Sequence, residues 1–137
     1  MPHELKESPE AIELSVSAST REELFRAALT GVLEAAYGAG LPEGTYEGRV
    51  VPVQAAGDDD DVLLADLVDD ALRAIREEAG TLHPPRWLAF DEKRVTATLP
   101  VHSPKAPSRA LEVANVEIAD GEDGPSARLE LLKPVAG

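Results

Sequence analysis

Two adjacent prolines, Pro84 and Pro85, divide this chain into parts with different periodicities. Proline lacks a backbone N–H and fixes φ near about −65°, and it disfavours the helical region for the residue before it, so no helix continues through the pair. Upstream, apolar residues recur every three or four positions in two long stretches. Downstream they fall into short strand-like runs separated by turn residues.

The first helical stretch carries Leu24, Phe25, Ala28, Leu29, Val32, Leu33 and Ala36 on one face. Ser19 or Thr20 stands before Glu22 and Glu23 at capping-box spacing, where a hydroxyl and a carboxylate satisfy amides at a helix start. Gly38-Ala39-Gly40 ends the helix. The glycine-rich stretch runs on to Gly44, but it follows a helix rather than a strand and its third glycine falls one residue late for a dinucleotide fingerprint, so it reads as a helix stop and loop. The second stretch carries Val62, Leu63, Leu64, Leu67, Val68, Ala71, Leu72 and Ile75. The four acids before it, Asp58 to Asp61, lack the alternating ligands, central glycine and distal Glu of an EF-hand. They belong to the first helical turn, where carboxylates cap amides and complement the macrodipole.

Ile12, Leu14 and Val16 alternate with Glu13, Ser15 and Ser17, the pattern of a half-buried strand, with 3–6 as a short partner. Residues 46–54 read as a strand whose Pro52 marks an edge or a bulge. After the prolines come 86–90, 94–101, 110–118 and 127–132, with Asp91-Glu92 and Gly121-Glu122-Asp123-Gly124 as hairpin turns and 103–108 as a loop. The order β-β-α-β-α-β-β-β-β predicts an α+β fold, two helices packed on one face of a mostly antiparallel sheet, in a single domain spanning 1–137. With 43% hydrophobic and only 4% aromatic residues, the core rests on Leu, Val, Ile and Ala, with Phe25, Trp87 and Phe90 as large fillers.

The net charge of −13 repels phosphate backbones and anionic lipid and favours basic partners, so neither direct nucleic-acid binding nor membrane association is expected. The 13 Lys and Arg are scattered; Lys93, Arg94, Lys105 and Arg109 read as solvated surface. No Cys is present, which excludes disulfides, thiolate nucleophiles and cysteine metal sites. No basic segment followed by an apolar run opens the chain, and no window reaches the roughly 18 apolar residues of a membrane span, so a cytoplasmic location is expected. His3, His83 and His102 are far apart in sequence with no partner at triad or ligand spacing, and His83 reads as loop; no catalytic residue is predicted. An enzyme with an unfamiliar site would have to draw on Asp91, Glu92 or these histidines.

Several segments together carry a family likeness. His3-Glu4-Leu5-Lys6-Glu7-Ser8-Pro9-Glu10-Ala11-Ile12, then Thr20-Arg21-Glu22-Glu23-Leu24-Phe25-Arg26-Ala27-Ala28, resembles archease, with Glu-Glu-Leu-Phe the best-preserved piece. Asp61-Val62-Leu63-Leu64-Ala65-Asp66-Leu67 looks like that family's second helix, and Arg109-Ala110-Leu111 through Val116-Glu117-Ile118 like its later strand. The resemblance covers nearly the whole chain. It implies a small α+β protein without enzymatic activity of its own, an accessory factor that promotes guanylylation and multiple turnover of an RNA-splicing ligase in tRNA splicing and RNA repair. It also implies a divalent cation, such as calcium, held by carboxylates.

The departures fall on those polar positions. The family's His-Thr-Ala-Asp corresponds to Ser8-Pro9-Glu10-Ala11, placing Ala11 at a metal-ligand aspartate, and the aspartate of the last strand falls on Leu132. Lys-Ala-Val-Thr-Tyr-His appears as Arg109-Ala110-Leu111-Glu112-Val113-Ala114, losing Thr, Tyr and His together, so that of its polar positions only the basic first is kept. Hard cations need several oxygen ligands, and alanine and leucine supply none. Glu7 and Glu10 flank the lost aspartate as weak substitutes, and read first as exposed acids at a strand start. The expectation is an archease-like accessory protein without the family's metal site and with no cofactor, binding an RNA-splicing ligase or another basic protein. The alternative is a diverged binding module or homo-oligomer with no ligase-activating role.

Overall fold

The computed structural model describes residues 3–38 and 44–133. The order among them is β1 (His3–Glu7), β2 (Ala11–Ser17), α1 (Arg21–Tyr37), β3 (Thr45–Ala56), α2 (Asp60–Glu77), β4 (Thr81–Leu82), β5 (Trp87–Asp91), β6 (Arg94–Ser103), β7 (Glu112–Gly121) and β8 (Gly124–Leu132). The α+β class and the antiparallel pairing stand. The strands, however, divide between two sheets: β1-β2-β8-β7, and a second in which β6 pairs with β3 on one side and with β4 and β5 on the other. Period-two alternation reveals which face of a strand is buried but not which strand lies beside it, so the sequence pattern left this division unmarked. Helix α1 packs against β2 and its neighbours, and α2 against both β3 and β7, so α2 links the two sheets.

Local chemistry accounts for the helix starts. Thr20 Oγ1 accepts the Glu23 amide at 3.1 Å, and Asp59 Oδ1 accepts the Val62 amide at 3.0 Å, with Asp60 and Asp61 in the first turn of α2. The aspartate run is thus a cap and a first turn, as expected. At Gly31 a Cβ would meet Leu14 Cδ1 at 2.6 Å, so the missing side chain sets how closely α1 approaches β2. Gly38 follows α1 with φ 101°, which glycine adopts without strain; 39–43, the rest of the predicted glycine-rich loop, lie outside the described residues.

The buried side chains form one cluster fed by both helices and both sheets. Phe25, Ile12, Leu14, Leu29, Leu67 and Leu99 are among its fully enclosed members. Phe25 and Phe90 meet edge to face at 5.0 Å, but Trp87, assigned to the core from sequence, is 53% exposed. Its parity explains this: β5 turns Leu88 and Phe90 inward, so Trp87 and Ala89 face out.

Strand β3 is an edge strand, the first of the two alternatives that Pro52 offered; Pro52 itself pairs in regular register with Thr98, and the irregularity lies between Tyr46 and Val50. Its free edge is closed in an orderly way. Pro52 has no N–H to present, while the Gln54 and Ala56 amides donate to Asp70 Oδ2 (2.9 Å) and Asp66 Oδ2 (3.3 Å) from α2. These outward positions are therefore unavailable to an incoming strand. Several boundaries differ from the sequence reading: β7 starts at Glu112 rather than 110 and β8 at Gly124 rather than 127. The β5–β6 turn is Glu92-Lys93, because Asp91 still pairs with Arg94, and β4 is an added strand too short for any periodic signal.

Candidate functional site

Lys105 and Arg109 read from sequence as solvated surface; Lys105 is exposed and Arg109 half-buried, and both are engaged by the fold. Both lie on the segment joining β6 to β7, and each reaches the C-terminus of a different helix. Lys105 Nζ donates to the carbonyls of Arg76 (3.3 Å) and Glu78 (2.6 Å) at the end of α2. Arg109 donates through Nε (3.1 Å) and Nη2 (2.6 Å) to the Ala35 carbonyl, and through its backbone amide to the Ala36 carbonyl (2.7 Å), at the end of α1. The final carbonyls of a helix have no intrahelical partner and carry its negative pole, so a cation there satisfies both. Helix α1 has no basic residue in its own last turn, and Arg109 supplies that charge from a distance in sequence. Thr81, 1% exposed, fixes the same segment: its hydroxyl donates to the Pro104 carbonyl (3.0 Å) and accepts the Ala106 amide (2.7 Å).

The remaining Arg109 nitrogen, Nη1, donates to Glu7 Oε1 at 2.9 Å, and Lys133 Nζ lies 3.2 Å from Glu7 Oε2. Glu7 therefore sits between two cations. Its carboxyl is held below the usual carboxylate range, first by the hydrogen bond from Arg109 and then by that from Lys133. Lys133 also donates its backbone amide to the Glu10 carbonyl at 2.9 Å, tying the end of β8 to the β1–β2 turn. Beside this cluster lies an open groove of about 480 Å³, lined by Leu5, Glu7, Ile12, Tyr37, Pro107 and Arg109 among others.

Ala11 and Leu132, the two positions that the archease resemblance assigns to metal-ligand aspartates, are direct register partners across β2 and β8. Carboxylates at two such positions would stand side by side, as a shared cation requires. A methyl and an isobutyl group stand there instead. Glu7 has each oxygen engaged by a cation, and Glu10 is exposed and joins the cluster through its backbone. These side chains do not fit a hard divalent cation. Among the described residues, no group of three His, Asp or Glu is placed to hold a metal.

The histidines give a second correction. His83 and His102, judged from sequence to lack partners, stack with ring centroids 3.7 Å apart. The antiparallel pairing of β4 with β6 brings them together, a strand pair invisible in sequence. His102 also lies 5.8 Å from the Tyr46 ring, over which Arg86 places its guanidinium at 4.7 Å. Asp91 and Glu92 sit at the opposite end of β6, roughly 27 Å away along an extended strand, so they share no cleft with the histidines. No pairing of an acid or base with a nucleophile arises from this set.

The architecture and the cluster define a small α+β protein whose polar strand ends close around the C-termini of two helices. Comparison with solved structures gives that architecture a counterpart. The crystal structure of an archease from Thermotoga maritima, described as a possible chaperone, matches with a TM-score of 0.54 and 14% sequence identity, covering 97% of this chain and 99% of the other. The chain therefore has an archease-like fold over essentially its whole length. No family model matches the sequence, and no curated protein matches it. No helix among the described residues is long and apolar enough to cross a membrane.

Proposed function

We propose that this chain is an archease-like accessory protein that acts by binding a larger RNA-processing enzyme, with an RNA-splicing ligase as the partner and without the family's cation. The observation that carries this reading is the end-to-end fold likeness to a solved archease, with neither chain contributing a large unmatched segment. The facing positions of Ala11 and Leu132 add to it, since the residue-by-residue resemblance assigned both to one metal site before any register was considered. The chaperone role suggested for the Thermotoga protein is likewise a role exercised on other proteins. A net charge of −13 favours a basic partner surface, and the encounter is then driven by field complementarity and weakened by salt.

A second reading, a diverged binding module that no longer activates a ligase, is favoured by the side chains now at the strand ends: Ala11, Leu132, and a Glu7 engaged by Arg109 and Lys133. The two readings separate in one binding experiment. The RNA-splicing ligase encoded in the same genome is immobilised and titrated with this protein at low and high salt, with calcium and with chelator. The first reading expects a complex that weakens with salt and ignores chelator. Absence of a complex at either salt concentration leaves the second; loss of the complex on chelation contradicts the cation-free form of the first.

A further inference from the structure

The outer face of the second sheet differs from the rest of this acidic surface. Along β6, Val95, Ala97, Leu99 and Val101 are fully buried on the inner face, so Thr96, Thr98, Pro100 and His102 point the other way, where Pro100 is itself buried and the other three are half-buried. The register sets Tyr46, Val50, Pro52 and Gln54 of β3 beside them on one flank and Trp87 and Ala89 of β5 on the other. Tyr46 (39%), Val50 (43%) and Trp87 (53%) account for three of the five exposed large hydrophobic side chains among the described residues. None of the outward positions just named carries a carboxylate, although the chain has 26. Glu47, in the neighbouring irregularity, is paired with Arg49, which also holds Glu78 at 2.7 Å.

We propose that this face is where a second copy of the chain docks, in a twofold, face-to-face contact centred on Trp87 and Val50. The charge distribution selects that occupant. A twofold contact brings each surface against itself, and on an acid-bearing face of this molecule it would oppose carboxylate to carboxylate, an arrangement that costs several kcal/mol at an interface. The centre of this outer face, between Trp87 and Val50, avoids that opposition; Asp91, which faces the same way, lies at the far end of β5 beside its register partner Arg94. A strongly basic partner finds no carboxylate at that centre to pair with, and nucleic acid meets the −13 field of the whole molecule. Exposed Trp and Tyr with Arg86 at the margin are the side chains that most often anchor protein interfaces. Face-to-face stacking rather than edge addition follows from β3, where Pro52, Asp66 and Asp70 close the outward positions from 52 to 56.

The test is sedimentation of the full chain over a concentration series reaching about 100 μM, at low and at roughly 0.5 M salt. A dimer is expected, tightening with salt as the repulsion between two −13 chains is screened. Trp87→Glu and Val50→Glu should each weaken it by about 30-fold or more, the scale of an interface hot spot. Val62→Glu, at an equally exposed apolar position on α2, should leave it unchanged. Circular dichroism and thermal melting identify any variant that fails to fold, and having two interface variants keeps one readout available. A wild-type chain that remains monomeric throughout overturns the proposal. So does a dimer that survives both interface substitutions, or one that dissociates as salt is added.

Discussion

Arg109 joins three parts of the molecule: the last carbonyls of α1, the segment leading into β7, and Glu7 at the end of β1. Arg109→Met keeps much of the apolar stem but leaves the Ala35 carbonyl and Glu7 without their cation. We expect it to lower stability by about 1–2 kcal/mol, read from urea denaturation. The carboxyl at Glu7 responds to pH in one direction. Its folded-state value lies below the usual 4.5, so its contribution is complete above that value and is lost as pH falls through the depressed one. The stability difference between wild type and Glu7→Gln should therefore be largest near neutral pH and shrink below about pH 4; an unchanged difference in acid would contradict the assigned cause. Thr81→Val removes both ends of a buried bridge, and we expect a loss of about 1–3 kcal/mol in the same assay. At this scale the sequence was only half legible. Ala11 and Leu132 could be singled out from the resemblance alone, whereas Arg109 read as surface because its partners, Ala35 and Glu7, lie far from it along the chain.

The helices were the most readable elements, because their signals are local. Apolar spacing, Thr20 before Glu23, and Asp59 before Val62 all lie within a few residues of one another, and each became a hydrogen bond. Asp59→Ala should cost about 1 kcal/mol of stability by removing the cap of α2, measured by thermal unfolding. Strand existence was also legible from alternation, and Pro52 marked an edge. Partnering was not, since it depends on contacts between residues such as Tyr46 and His102 that no short window contains. The same long-range geometry gives α2 its second task of closing the β3 edge. Asp70→Ala frees the Gln54 amide and also removes the carboxylate that pairs with Arg73. We expect it to raise the rate of aggregation on mild heating, followed by light scattering, more than Asp69→Ala, whose carboxylate is on the same helix but does not hold the edge.

At the scale of the whole molecule, an archease-like fold is combined with side chains that do not suit a hard cation at Ala11, Leu132 and Glu7. A fold and the chemistry of its strand ends can diverge for a physical reason. The fold depends on a distributed set of apolar positions that tolerate substitution at 14% identity, whereas any hard-cation site depends on a few oxygens and needs each of them. If the accessory role persists, it rests on surface and shape rather than on a bound ion. The most direct measurement is guanylylation and multiple-turnover RNA ligation by the RNA-splicing ligase of the same genome, with and without this protein, in calcium and in chelator. Stimulation equal in both conditions is expected. Absence of stimulation, or stimulation that disappears with chelator, would contradict a cation-free accessory role.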